Sequence, residues 1–173
     1  PPGAVGPLLA AAASAGSGPG VQRRTMVEAR TDDGQRLLAL NEIYLGHPSH
    51  QSARYRIQAP RSRSERQSSS GVLVGTGTGA TGWCRSVWLE RQSTIELPDP
   101  VQPRLCWFVR EAWPSPATGT TFTEGTLADG ERLVVLAESD LVIFGDGVET
   151  DAITLGWGQR VSISMSERRL VLA

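Results

Sequence analysis

The chain has 173 residues and a formal net charge of −1, a size that fits one domain able to bury roughly 70% of its unfolded surface without disulfide support. All 17 basic residues are arginine, which excludes a Walker A lysine, a Schiff-base lysine and the phosphate-pairing lysine of protein kinases. The near-neutral charge argues against a nucleic-acid partner, and no apolar run approaches the ~20 residues of a membrane span.

In chain order, residues 1–20 carry four prolines and five glycines around Leu8 to Ala13, a composition expected of a flexible arm or linker. That apolar run lacks the basic segment and length of a signal peptide. From Val21 the pattern turns strand-like. Val21 to Arg30, a Thr31 to Gly34 turn and Arg36 to Gly46 predict a hairpin, with Ala53 to Ala59 as a third strand. Ser62 to Ser70 reads as a polar connection, and Val72 to Val74 as a short buried strand. Ala80 to Arg91 spaces Trp83, Val87, Trp88 and Leu89 as one helix facing a core. Beyond Arg104 strand follows strand: Leu105 to Val109, Gly119 to Glu124, Arg132 to Ala137, Leu141 to Phe144, Ala152 to Leu155, Arg160 to Met165 and Arg169 to Leu172. Turns are expected at Asp129-Gly130, Gly145 to Gly147, Gly156 to Gly158 and Ser166-Glu167. The fold class is therefore mainly β over residues 21–173: an antiparallel, multi-stranded, β-sandwich-like domain with one main helix.

Two constellations carry chemistry. In Ser69 to Trp83, a strand runs into glycines and threonines and then into a helix, the layout of a ligand cradle. Gly77, Gly79 and Gly82 also satisfy the G-x-G-x-x-G spacing of dinucleotide folds, but the downstream half lacks the alternating helices that such folds need. In Leu38 to Gly46, Asn41 and Glu42 place an amide and a carboxylate side by side in an apolar strand. A satisfied polar pair at a strand end would explain them; so would polar contacts to the hydroxyls and amino group of a nucleoside. Cys84 and Cys106 read as reduced thiols. His47 and His50 have no cysteine near them and do not offer the usual four-ligand closure of a structural zinc site, so no metal is expected on this chain. Trp107, Phe108 and Trp113 are expected to be sheet packing.

Asn41-Glu42 within ALNEIYLG, the later SSGVLVGTGTGATGW and the late Asp146-Gly147 occur in the order and spacing of the carboxy-terminal half of the NAD kinase family, and the chain most resembles its mitochondrial-type branch over Val21 to Ala173. The resemblance implies an enzyme that transfers a phosphoryl group from ATP, with Mg²⁺, to the adenosine ribose 2′-hydroxyl of NAD. It implies that Asn41 and Glu42 contact the nucleoside, that Thr76, Gly77, Thr78 and Gly79 shape the chain crossing, and that Thr81, Gly82 and Trp83 lie against an adenine or nicotinamide ring. Ser70 stands where many bacterial members carry an aspartate, Gly77 where they carry proline, and Gly82-Trp83 where they carry alanine-tyrosine. The family's Gly-Gly-Asp-Gly loop, which belongs to a preceding α/β domain, does not occur here, so no catalytic residue is expected on this chain and no turnover from it alone. A non-catalytic nucleotide-binding or structural module of the same fold is the alternative. Family members assemble through this β-rich domain, which implies at least a homodimer. The arginine, alanine and glycine-rich, lysine-free composition points to a bacterium with a high-GC genome, and two reduced thiols are expected of a cytoplasmic protein.

Overall fold

A computed structural model describes residues 21–62 and 64–172; the expected arm at residues 1–20 lies outside them. Two six-stranded antiparallel sheets face each other. The first runs in the order β2 (Arg36–Ala39), β1 (Gln22–Thr31), β12 (Arg160–Leu172), β9 (Arg132–Ala137), β4 (Ala53–Gln58), β5 (Glu65–Ser69). The second runs β11 (Val148–Leu155), β10 (Leu141–Gly145), β3 (Glu42–Gly46), β6 (Gly71–Gly75), β7 (Leu105–Arg110), β8 (Glu124–Leu127). No helix among the described residues is long and apolar enough to cross a membrane.

Strand alternation builds the core between the sheets. β4 reads Ala-Arg-Tyr-Arg-Ile-Gln, and its residues are alternately buried and exposed, the signature of a strand with one face packed and one in water. Ile43, Leu45, Val72, Val74 and Val109 of the second sheet meet Val27, Ile57, Val135 and Ile163 of the first in one apolar cluster. Each fully buried aliphatic side chain of this kind contributes roughly 1.5–3 kcal/mol. β6 and β7 are apolar on both faces because α1 (Trp83–Glu90), the one α-helix among the described residues, covers their outer side. There Leu73, Cys84, Val87, Cys106 and Phe108 form a second, smaller cluster.

The structure corrects four of the expected elements. Arg36 to Gly46 is two strands in different sheets, β2 and β3, divided at Leu40-Asn41. The polar stretch Ser62 to Ser70 contains β5, whose inward Gln67 and Ser69 are hydrogen-bonded instead of apolar: Ser69 Oγ lies 2.7 Å from Tyr55 Oη, and Gln67 Nε2 donates to the Phe122 carbonyl at 2.9 Å. Gly119 to Phe122 is a loop held by the Glu65 carboxylate, which accepts the amides of Thr121 (3.0 Å) and Phe122 (3.2 Å), and the strand starts only at Glu124. Finally, Ser166-Glu167 is no turn. β12 continues through it as a bulge, since pairing steps from Val27↔Met165 to Thr25↔Arg169 and leaves Ser166 to Arg168 opposite Met26.

An unusual charge pattern marks the outer face of the first sheet. Arg30 stands directly opposite Arg36, and Arg56 opposite Arg66, pairings that repel if left alone. Each pair is bridged by one carboxylate: Glu28 takes Arg30 and Arg36, and Glu138 takes Arg56 and Arg66. The two acid side chains are only 2% and 8% exposed. Burial by itself would raise their pKa values, but the guanidinium hydrogen bonds outweigh it and hold both carboxyls below the ordinary value.

Candidate functional site

Residues far apart in sequence meet where the chain crosses between the sheets. Past Ala39 it leaves β2, and at Glu42 it joins β3, so Leu40 and Asn41 have no ladder partners of their own. Their backbone groups are met individually. The Asp146 carboxylate accepts the amides of Leu40 (2.8 Å), Asn41 (2.6 Å) and Glu42 (3.4 Å), and the Asp146 amide donates to the Glu42 carbonyl at 3.0 Å. Asp146 can do this because it occupies the β10–β11 turn with φ +55°, followed by Gly147 at +73°, a conformation that aspartate and glycine tolerate.

The other side of the crossing is held by the glycine and threonine loop. The Thr76 amide donates to the Asn41 carbonyl (2.9 Å), and the Thr76 hydroxyl donates to the Leu40 carbonyl (2.6 Å) while accepting the amides of Thr78 (3.1 Å) and Gly79 (3.3 Å). A Cβ on Gly79 would collide with the Asn41 backbone, and one on Gly77 with the Asp99 carbonyl. Glycine is therefore needed at both positions for close backbone approach. The chain then makes a short 3₁₀ turn (Gly79–Thr81), in which Thr81 Oγ1 donates to the Thr78 carbonyl at 2.9 Å, and enters α1 from Gly82 without a side-chain cap.

By strand alternation Glu42 shares the outer face of the second sheet with Tyr44. The Trp83 indole stacks on Tyr44 with centroids 5.4 Å apart and an interplanar angle of 16°. The Arg110 guanidinium lies over that indole at 5.3 Å, and Phe144 lies 5.0 Å from Tyr44. Asn41 and Glu42 are half-buried, and neither side chain hydrogen-bonds to any described residue; Thr78 Oγ1 is buried without a partner. Burial, and secondarily the Asp146 carboxylate, push the Glu42 carboxyl up from its ordinary value. Beneath the helix both thiols are buried, and Cys106 and burial push the Cys84 thiol up, so Cys84 is packing and not a nucleophile.

The structure thus brings together Asn41, Glu42, Thr76, Gly77, Thr78, Gly79, Thr81, Gly82 and Trp83. Ser70 is not among them. It sits at the far end of β6 from Thr76, about 20 Å along the strand. It touches the group indirectly, since its carbonyl accepts the Tyr44 hydroxyl at 2.7 Å. Sequence reasoning missed the part played by the Asp146 carboxylate, because Gly-Asp-Gly is explained by the hairpin alone, and it missed Tyr44, Phe144 and Arg110. The signal for Tyr44 was present: it stands two residues after Glu42, on the same strand face. Trp113 was expected to pack in a sheet and is instead 69% exposed on a loop, whereas Trp107 and Phe108 are buried. Four surface grooves of 350 to 460 Å³ lie elsewhere on the molecule. The chain matches no known protein family and no curated protein.

Proposed function

We propose that this chain is the NAD-gripping, self-associating β-rich domain of a bacterial, cytoplasmic NAD kinase-like enzyme. The observation that supports the reading is the convergence at Asn41: its amide is taken by Asp146 and its carbonyl by Thr76, so the three motifs behind the resemblance pin one corner. That corner leaves the Asn41 side-chain carboxamide, the Glu42 carboxylate and the Thr78 hydroxyl without hydrogen-bond partners among the described residues. Unpaired polar groups at a half-buried position are costly in the free protein and find their compensation in a bound ligand. On this reading Asn41 and Glu42 take the hydroxyls and amino group of a nucleoside. Trp83, propped on Tyr44, supplies an aromatic surface for the ring. ATP, Mg²⁺ and the phosphate-holding Gly-Gly-Asp-Gly loop come from outside these residues.

Calorimetric titration of the chain with NAD tests the assignment. The double variant Asn41→Ala/Thr81→Ala is expected to weaken binding about tenfold or more while leaving thermal unfolding nearly unchanged. A wild-type chain that ignores millimolar NAD, or a variant that binds as well as wild type, overturns the reading. NAD bound without any NADP formed in the presence of ATP and Mg²⁺ is the expected behaviour of the isolated chain.

A further inference from the structure

The outer face of the first sheet carries a groove of 390 Å³ lined by Arg56, Arg132, Arg160, Ser64, Ser162 and Gln58, with Val134 and Leu136 as its floor and no acidic residue among its lining groups. Strand register explains the arrangement. Arg160, Leu136 and Arg56 form one row across β12, β9 and β4; Ser162, Val134 and Gln58 form the next; Ser164 and Arg132 the third. All these side chains lie on the face away from the core, because the residues that alternate with them, Leu133, Val135, Val161 and Ile163, are fully buried on the inner face. The rows therefore put guanidiniums at opposite corners of a patch of hydroxyls, an amide and aliphatic floor.

The charges here differ from those beside them. Arg30 and Arg36 share Glu28, and Arg56 and Arg66 share Glu138, whereas the guanidiniums of Arg132 and Arg160 have no ion pair among the described residues. A chain with net charge −1 thus carries two arginines without an ion pair at the centre of this sheet face, and Asp32, Asp129 and Glu167 line only the adjoining groove that the same two arginines border. We propose that this groove is a binding site for a small oligophosphate anion, a di- or triphosphate group, held by the planar forks of Arg132 and Arg160 and by the hydroxyls of Ser162 and Ser64. Arginine forks match phosphate oxygens two at a time, and neighbouring hydroxyls complete the remaining acceptors. Nucleic acid is a poorer match, since the groove has no aromatic side chain on which a base could stack. The site lies on the opposite sheet from Asn41 and does not depend on the dinucleotide reading.

Titration with inorganic tripolyphosphate at fixed ionic strength, followed by calorimetry, tests the proposal. Binding is expected for wild type, with a loss of about tenfold or more in Arg132→Gln/Arg160→Gln and an intermediate loss in Arg132→Lys/Arg160→Lys, which keeps the charge and removes the fork. Both variants are expected to unfold at the wild-type temperature, because neither side chain holds an ion pair among the described residues. NAD titration of the same variants separates the two sites: unchanged NAD binding with lost tripolyphosphate binding is the expected pattern, and Asn41→Ala is expected to leave tripolyphosphate binding intact. Three results overturn the proposal: no tripolyphosphate binding to wild type, equal binding by sulfate or citrate, or affinity unchanged in the glutamine variant. Tighter binding of a single-stranded oligonucleotide, lost in that same variant, overturns it in favour of nucleic acid.

Discussion

Replacing Thr76 by valine removes one hydroxyl and keeps the shape of the side chain, so it isolates what that hydroxyl does. Thr76 is fully buried, and its Oγ1 serves three backbone groups: the Leu40 carbonyl and the amides of Thr78 and Gly79. Leaving a buried polar group unmatched costs about 1–3 kcal/mol. The Gly79 amide is buried and bears that cost, while the other two groups are partly exposed and recover some of it from water. The total is about 2–4 kcal/mol, which lowers the melting temperature of a chain this size by roughly 4–16 °C. Thr76→Ser keeps the hydroxyl and loses one methyl, a cost of about 1 kcal/mol. Thermal and denaturant unfolding of the two variants, with NAD titration alongside, give the comparison. A valine variant within about 1 °C of wild type, or a serine variant as damaged as the valine one, refutes the view that this hydroxyl ties the loop to the crossing.

Glu42 has its pKa raised in the fold, first by burial and then by Asp146, so whatever stability it contributes is present below its unfolded value and lost as pH rises through the folded one. Glu42→Gln is therefore expected to melt at or above the wild-type temperature at pH 7, with the difference closing below about pH 4.5; a variant less stable than wild type at pH 7 shows a stabilising carboxylate contact and counts against a ligand role. Glu138 has the opposite sign. Its folded pKa lies below the ordinary value, so its stabilisation is full above about pH 4.5 and disappears as pH falls through the folded pKa. At pH 7, Glu138→Gln is expected to lose on the order of 1–2 kcal/mol, discounted because Arg56 and Arg66 are close to half exposed. A melting temperature whose acid limb is the same in wild type and variant rules this out.

Much of the fold was legible because alternation is a local property. Ala53 to Ala59 shows its period in the chain itself, Leu105 to Val109 and Arg132 to Ala137 stand out as equally local apolar runs, and the helix after Gly82 was marked by the spacing of its apolar residues. β5 was not, since its inward residues are Gln67 and Ser69, whose burial is tolerable only because Tyr55 and the Phe122 carbonyl supply hydrogen bonds from other parts of the chain. The division at Leu40-Asn41 was equally hidden. An apolar run looks the same whether it stays in one sheet or changes sheets, and the change depends on Asp146 and Thr76 capturing the freed backbone.

The sequence by itself determined a mainly β, antiparallel domain with one helix and named the residues of the glycine and threonine loop and the Asn41-Glu42 pair. Tertiary structure alone decided that these residues meet, that Ser70 stands apart from them, and that arginines scattered over a hundred residues share one face. The reason is that hydrogen bonds to Asp146 and cross-strand register between β12, β9 and β4 link positions whose distance along the chain carries no trace of their distance in space.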